Sequence, residues 1–216
     1  MNPFDLVAGH QRDELSQLLV ASPALAASRN GDGASLLAFC AYMGDADALA
    51  LVRSALPAID PYEAIVVGDR ARVEAALAEG WDPDSLAPDG FTPLALSVFF
   101  RKPELFDLLL PLTRDVNARA KNRQQVAALH AAAAARDIVA VEKLLRAGAQ
   151  PDLTQQQGFV ALHTAAMHGD AVMTGVLLLF GASPGLADAS GKTAADHARA
   201  QGHEWLARRI AAWAAP

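Results

Sequence analysis

Apolar residues along the chain fall into two kinds of short run that alternate. One kind is rich in small residues, as in LALSVFF after Pro93, LHAAAAA from Leu129 and LHTAAMH from Leu162. The other carries aliphatic residues at i, i+3, i+4 spacing, as in Val139, Val141, Leu144 and Leu145. Both predict helices, the second kind with this apolar face packed inward. The clearest unit is GFTPLALSVFFRKPELFDLLL, Gly90 to Leu110: a turn, a helix opened by Thr92 and Pro93, a break from Arg101 to Pro103, then a second helix. Thr there can accept a bond from a free backbone N–H, and Pro at the first helical position sacrifices none.

Equivalent breaks occur at Gly9, Gly44, Gly68, Arg101, Arg136, Gly169 and Gly202, separated by 35, 24, 33, 35, 33 and 33 residues. The turn after the second helix keeps step at Gly80, Thr113, Gly148 and Gly181, separated by 33, 35 and 33. Two markers holding one period identify a repeat architecture. Alanine lets neighbouring first helices stack closely, and Gly80, Gly148 and Gly181 supply positive-φ caps.

These residues resemble the ankyrin repeats, whose pattern includes T-P-L-H-x-A on a period of about 33. The likeness is strongest at GFTPLALS (Gly90 to Ser97), GFVALHTAAMHGD (Gly158 to Asp170) and GKTAADHARAQGH (Gly191 to His203). It is clear at AALHAAAAARD (Ala127 to Asp137) and looser at GASLLAFCAYMGD (Gly33 to Asp45). The resemblance implies an all-α solenoid of seven helix pairs with short β-hairpin fingers, forming a single domain over 1–216. Its parts would be an N-terminal capping helix pair at 1–27, stacked repeats at 33–190 and a C-terminal capping repeat at 191–216. It also implies that His130 and His163 are structural residues tied to backbone near the turn.

Three places depart from the pattern. About nine residues are missing between Gly44 and Gly68, so Pro57 and Pro61 are expected in a tight connection in place of a finger. Thr113 stands where a positive-φ cap is expected, and a β-branched residue is strained there, so either the turn takes another geometry or the site is weak. The finger from Asn117, NARAKNRQQVA, is two residues longer than the rest and lacks their turn glycine. In the last helix Trp205 and Trp213 flank Arg208 and Arg209, expected to give a cap with one packed and one wet side.

Composition narrows the function. With 52% hydrophobic and 19% charged residues, the chain can bury enough surface to fold. A net charge of -6 argues against nonspecific nucleic-acid or anionic-membrane binding. No signal peptide or membrane-spanning run is evident, so a cytoplasmic monomer is expected. The alanine-rich, cysteine-poor composition points to a bacterial source, and Cys40, beside Phe39 and Ala41, reads as a small buried hydrophobe.

Repetition accounts for the apparent catalytic motifs. SGKT at Ser190 to Thr193 resembles a phosphate-loop tail, but five residues separate Gly185 from Gly191 where four are needed. His163 and His168 lie about 140° apart around a helix and do not converge on a metal. There is no nucleophile elbow, Cys40 has no histidine at recognisable spacing, and Asp82 and Asp84 read as a solvated turn. No enzyme activity, cofactor or metal is expected.

A binding surface can be picked by register on the concave face. The finger position before the Thr gives Phe91, Val126, Phe159 and Lys192, and the positions before the break give Tyr42, Met43, Phe99, Phe100, Met167 and His168. Arg101, Arg123, His168 and Lys192 flank the aromatics, a composition typical of interface anchors. For each Phe the alternative is inward packing. The basic finger residues Arg114, Arg119, Lys121 and Arg123 could meet an acidic partner, the alternative being a solvated loop. The expected function is a non-catalytic protein-binding module, an adaptor, scaffold or inhibitor. The alternative is a small-molecule or peptide sensor using a groove at the shortened joint.

Overall fold

The computed structural model describes residues 1–213, so the last three residues of the expected terminal cap, 214–216, lie outside the described residues. Among the described residues, fourteen α-helices follow in consecutive pairs. The chain divides into two compact units. The first, 1–82 with 86–90, contains α1 (Pro3–Ala8), α2 (Arg12–Ala21), α3 (Leu36–Tyr42), α4 (Ala46–Ala55), α5 (Pro61–Val67) and α6 (Arg70–Ala78). The second, 83–85 with residues from Phe91 on, contains α7 (Pro93–Phe99), α8 (Pro103–Leu109), α9 (Ala128–Ala135), α10 (Ile138–Arg146), α11 (Ala161–Met167), α12 (Ala171–Leu179), α13 (Ala194–Ala200) and α14 (Glu204–Trp213).

Every break within a pair contains one left-handed residue: His10, Gly44, Gly68, Arg101, Arg136, Gly169 and Gly202. The first differs from the expected Gly9, which has φ -88 because its N–H still closes the helical turn on Asp5, and the reversal falls one residue later. An aspartate after the break then caps the second helix. Asp45, Asp69, Asp137 and Asp170 accept from the backbone N–H three residues on, satisfying a donor that the helix cannot. The breaks also reach forward by about one period within each unit. His10 and Arg12 bind Asp45, Arg101 donates to the Ala135 carbonyl, and the His203 ring lies against Gly169.

First helices start on side-chain caps at Ser35, Asp60, Thr92 and Thr193. Small side chains keep their faces buried, as with Ala131, Ala132 and Ala133 in α9. In the second helices Val141, Leu144 and Leu145 point into the core as expected, but Val139 does not. It stands on the outer side, because the inward stripe of α10 is set by Val141, Leu144 and Leu145. Likewise α14 packs through Leu206, Ala207 and Ile210, which puts both Trp205 and Trp213 on the wet side.

The fingers are turns rather than hairpin ladders. The bridges outside helices are single, Arg29 with Ser35 and Ala187 with Thr193, since each finger closes after only a few residues. In the second unit the fingers are stitched together by the Gln156 N–H on the Gln124 carbonyl (3.0 Å) and the Ala189 N–H on the Gln157 carbonyl (2.8 Å). The long finger replaces the absent glycine with Gln125 at φ 53, while the Asn122 side chain accepts from the N–H groups of Gln124 and Gln125. Thr113 avoids the left-handed region. A 3-10 turn at Leu110–Leu112 brings it to φ -75, and its hydroxyl donates to the Leu109 carbonyl. At the shortened joint, residues 56–60 connect α4 directly to α5, with Leu56 and Ile59 buried and Asp60 and Glu63 forming a reciprocal cap.

Candidate functional site

The aromatic pair at the end of α7 follows from where that helix stops. Residues Leu94 to Val98 are buried, so the last helical position, Phe99, falls past the packed segment and is 49% exposed. Phe100 is half-buried and meets the Phe99 ring edge-on, with centroids 5.1 Å apart. Arg101 turns the chain at φ 54 and is exposed, one guanidinium N–H held by the Ala135 carbonyl at 3.1 Å. Phe91 is half-buried. One repeat and more along, Met167 is half-buried and His168, Arg123 and Lys192 are exposed.

Two groups of expected site residues lie elsewhere. Tyr42 and Met43 belong to the first unit, where Met43 is exposed and the Tyr42 hydroxyl donates to Asp89 at 2.9 Å. Burial raises the Tyr42 phenol well above its ordinary pKa, and Asp89 adds to this, so it stays a donor. Phe159 is committed to packing. Its ring lies 5.0 Å from His197 and 5.4 Å from His163, and these two imidazoles are 5.4 Å from each other.

The histidines are built into the fold. At Ala127 and Val160 no hydroxyl is present to start the helix, and His130 and His163 reach back instead, each accepting the backbone N–H at Nδ1 (3.0 and 3.1 Å). Each Nε2–H then donates to a carbonyl of the following turn, Leu153 at 2.7 Å and Leu186 at 3.0 Å. This fixes the Nε2–H tautomer. Burial pushes the His130 pKa down to about 4, partly opposed by the Leu153 carbonyl and reinforced by Arg119. His163 is lowered too, chiefly by burial.

SGKT proves to be a turn closed on a carboxylate. Asp188 accepts the Ser190 hydroxyl and the N–H groups of Ser190 and Lys192 on one oxygen, and contacts His197 Nε2 at 2.8 Å with the other. These bonds, the Ser190 hydroxyl first, hold its pKa well below the usual carboxylate range. Among the described residues, no group of three or more His, Cys, Asp or Glu is placed to hold a metal ion. Cys40 is fully buried, and burial, with Asp45 adding, pushes its thiol up to about 12.

Of the basic finger, Arg114 pairs with Asp84 at 2.7 Å and Arg119 donates to the Thr154 carbonyl, while Lys121 and Arg123 are exposed. Asp84 is therefore a tie between turns and not merely a solvated one. At the shortened joint, polar groups are engaged with one another: Arg29 with Asp60, Glu63 with the Asp60 N–H, and Arg72 with the Ile59 carbonyl.

An exposed apolar row on the second helices escaped the sequence reading. Val139, Val172 and Trp205 all face solvent and recur at intervals of 33. The same period that located the breaks would have found them, had it been applied to the outer positions.

No helix among the described residues is long and apolar enough to cross a membrane. Residues 129–214 match the family model described as ankyrin repeats, in three copies. A comparison with curated proteins finds no match.

Proposed function

We propose, from the premise that the chain is an ankyrin-repeat protein, that it is a non-catalytic module binding a protein partner at the break end of the first helices of its second unit. Ankyrin repeats are generally protein–protein interaction modules, and stacked repeats line up equivalent positions into extended surfaces. The observation that carries the reading is Phe99, a half-exposed ring set edge-on to Phe100 and followed by an exposed arginine. About half of the ring is in solvent, and aromatic and arginine anchors are what interfaces concentrate. Phe91, Arg123, Met167, His168 and Lys192 extend the surface, and Tyr42 and Met43 hold the corresponding register in the first unit. Phe159 leaves the set, since its ring serves the packing of His163 and His197.

The test compares wild type with Phe99→Glu as cross-linking baits in an extract of the source cells, quantified by mass spectrometry. A partner anchored on this ring should be captured about 30-fold less by the variant, corresponding to a hot spot of about 2 kcal/mol. The melting temperature should stay near wild type, because the ring lies past the packed segment. Equal capture by both baits would remove Phe99 from the function.

A further inference from the structure

The outer faces of α10, α12 and α14 repeat the same positions. The second residue of each helix is Val139, Val172 or Trp205, exposed by 59%, 69% and 61%. The ninth is Arg146, Leu179 or Ala212, all exposed. Seven residues are nearly two turns, so both rows lie on one face of each helix. Phe180 and Trp213 border it and are also exposed.

Three observations say what covers this face. The first is Gly175, at the fifth position of α12 and so at the centre of the three helices. Its backbone is ordinary helix, and a Cβ there would meet nothing within 4 Å. Glycine costs a helix interior about 1 kcal/mol relative to alanine. The fold makes no use of the missing side chain; what bare backbone permits is close approach from outside. Moreover α12, AVMTGVLLL, has no charged residue although one side meets solvent, a composition suited to a covered helix.

The second is charge. Lys143, Arg146, Arg208 and Arg209 on these helices stand against Glu142 and Glu204 and, through the Lys143 pair, Asp107 of α8, which leaves an excess of one positive charge on a chain of net charge -6. Arg146 lies over the Phe180 ring at 5.9 Å, and Lys143 is paired with Asp107 at 2.6 Å. An acidic occupant complements this island.

The third is size. Helices about 14 Å long at spacings of 8–10 Å make a face of roughly 400 Å², about half of the ~800 Å² per partner that a stable dimer takes. A single helix fits. Seven of its residues rise about 10.5 Å, close to the spacing between neighbouring helices, so apolar residues one heptad apart would meet α10, α12 and α14 in turn. Beside Val139 an open groove of about 270 Å³, lined by Phe106, Pro103, Val98 and Lys102 among others, has room for a large apolar side chain.

We infer that the outer face of α10, α12 and α14 docks an acidic amphipathic helix of a partner protein. Its heptad-spaced apolar residues lie across Val139, Val172 and Trp205, its backbone comes closest at Gly175, and its carboxylates face Arg146, Arg208 and Arg209. This surface does not rest on Phe99, although the groove beside Val139 has Arg101 in its lining.

The test pans the whole chain against a displayed library of 18-residue amphipathic helices with randomised charged positions, then measures the enriched peptides by tryptophan fluorescence. Acidic sequences with heptad apolar spacing should be enriched. Gly175→Phe should bind them at least tenfold more weakly without a lower melting temperature, since Phe has the better helix propensity. Val172→Glu, which spares the glycine, should do the same, Arg208→Glu should weaken binding most at low salt, and Phe99→Glu should leave it unchanged. Enrichment of basic or extended peptides, no enrichment, or undiminished binding to both Gly175→Phe and Val172→Glu would overturn the inference. So would a concentration-dependent dimer in sedimentation that Gly175→Phe abolishes, which would give the face to a second copy.

Discussion

Lowering the pH from 7.5 to 5.0 should destabilise the protein through His130, and replacing that one ring should remove the effect. The imidazole accepts from Ala127 and donates to Leu153, so protonating it destroys an acceptor and places a charge among buried groups. Its pKa is about 4 when folded, against an ordinary value of about 6.5. The unfolded chain therefore binds the proton first, and stability falls as the pH drops from about 6.5 towards 4. Integrating over pH 7.5 to 5.0 gives a loss of about 2 kcal/mol from this group. His130→Gln keeps a side-chain acceptor that can reach back to the same N–H but cannot titrate. Urea unfolding followed by circular dichroism at both pH values should show the wild type losing about 2 kcal/mol more than the variant. His163 acts in the same direction in both proteins and cancels in the difference. Equal losses, or an NMR titration placing His130 near 6.5, would refute the reasoning.

Two substitutions at left-handed residues should move stability in opposite directions. Gly33→Ala should cost on the order of 3 kcal/mol in urea unfolding, because φ is +89 and the new Cβ would fall 2.2 Å from the Pro88 carbonyl oxygen, a backbone atom. Arg136→Gly should raise the urea midpoint by the equivalent of about 1 kcal/mol. It relieves φ 56 and gives up only an exposed 3.8 Å contact with Asp170.

The period was legible because breaks and turns are fixed by backbone conformations that few residues supply, so glycine recurs there and Asp follows it. Gly9 misplaced the first break by one residue because a glycine can occupy a helix end without using its freedom, and His10 took the left-handed position. Side-chain direction was harder. Val139 stands two, five and six residues from Val141, Leu144 and Leu145, about 200° around the helix from Val141, so grouping it with them by apolarity overlooked that only Val141, Leu144 and Leu145 hold the i, i+3, i+4 spacing. The expected cap with one packed and one wet side did not say which side the tryptophans take, and they fall on the wet one because Leu206, Ala207 and Ile210 fill the other side of α14. For Phe159 the inward alternative is the one its ring contacts favour, with His163 of its own repeat and His197 of the next. Register put Phe99 on the candidate surface but left inward packing open, and its exposure follows from where α7 ends.

The histidine bonds at Ala127 and Val160 both reach 23 residues forward, to Leu153 and Leu186. A lock of constant reach makes the period the unit of heritable length change. Duplicating or excising whole repeats would return these two imidazoles to carbonyls at the right distance, whereas a shift of a few residues would strand them. Fingers are the exception. Between α4 and α5 about nine residues have gone, and the helix start survives because Asp60 and Glu63 cap it from within. Such a chain can grow or shrink in evolution by repeats and by fingers, while the helices between them keep their lengths.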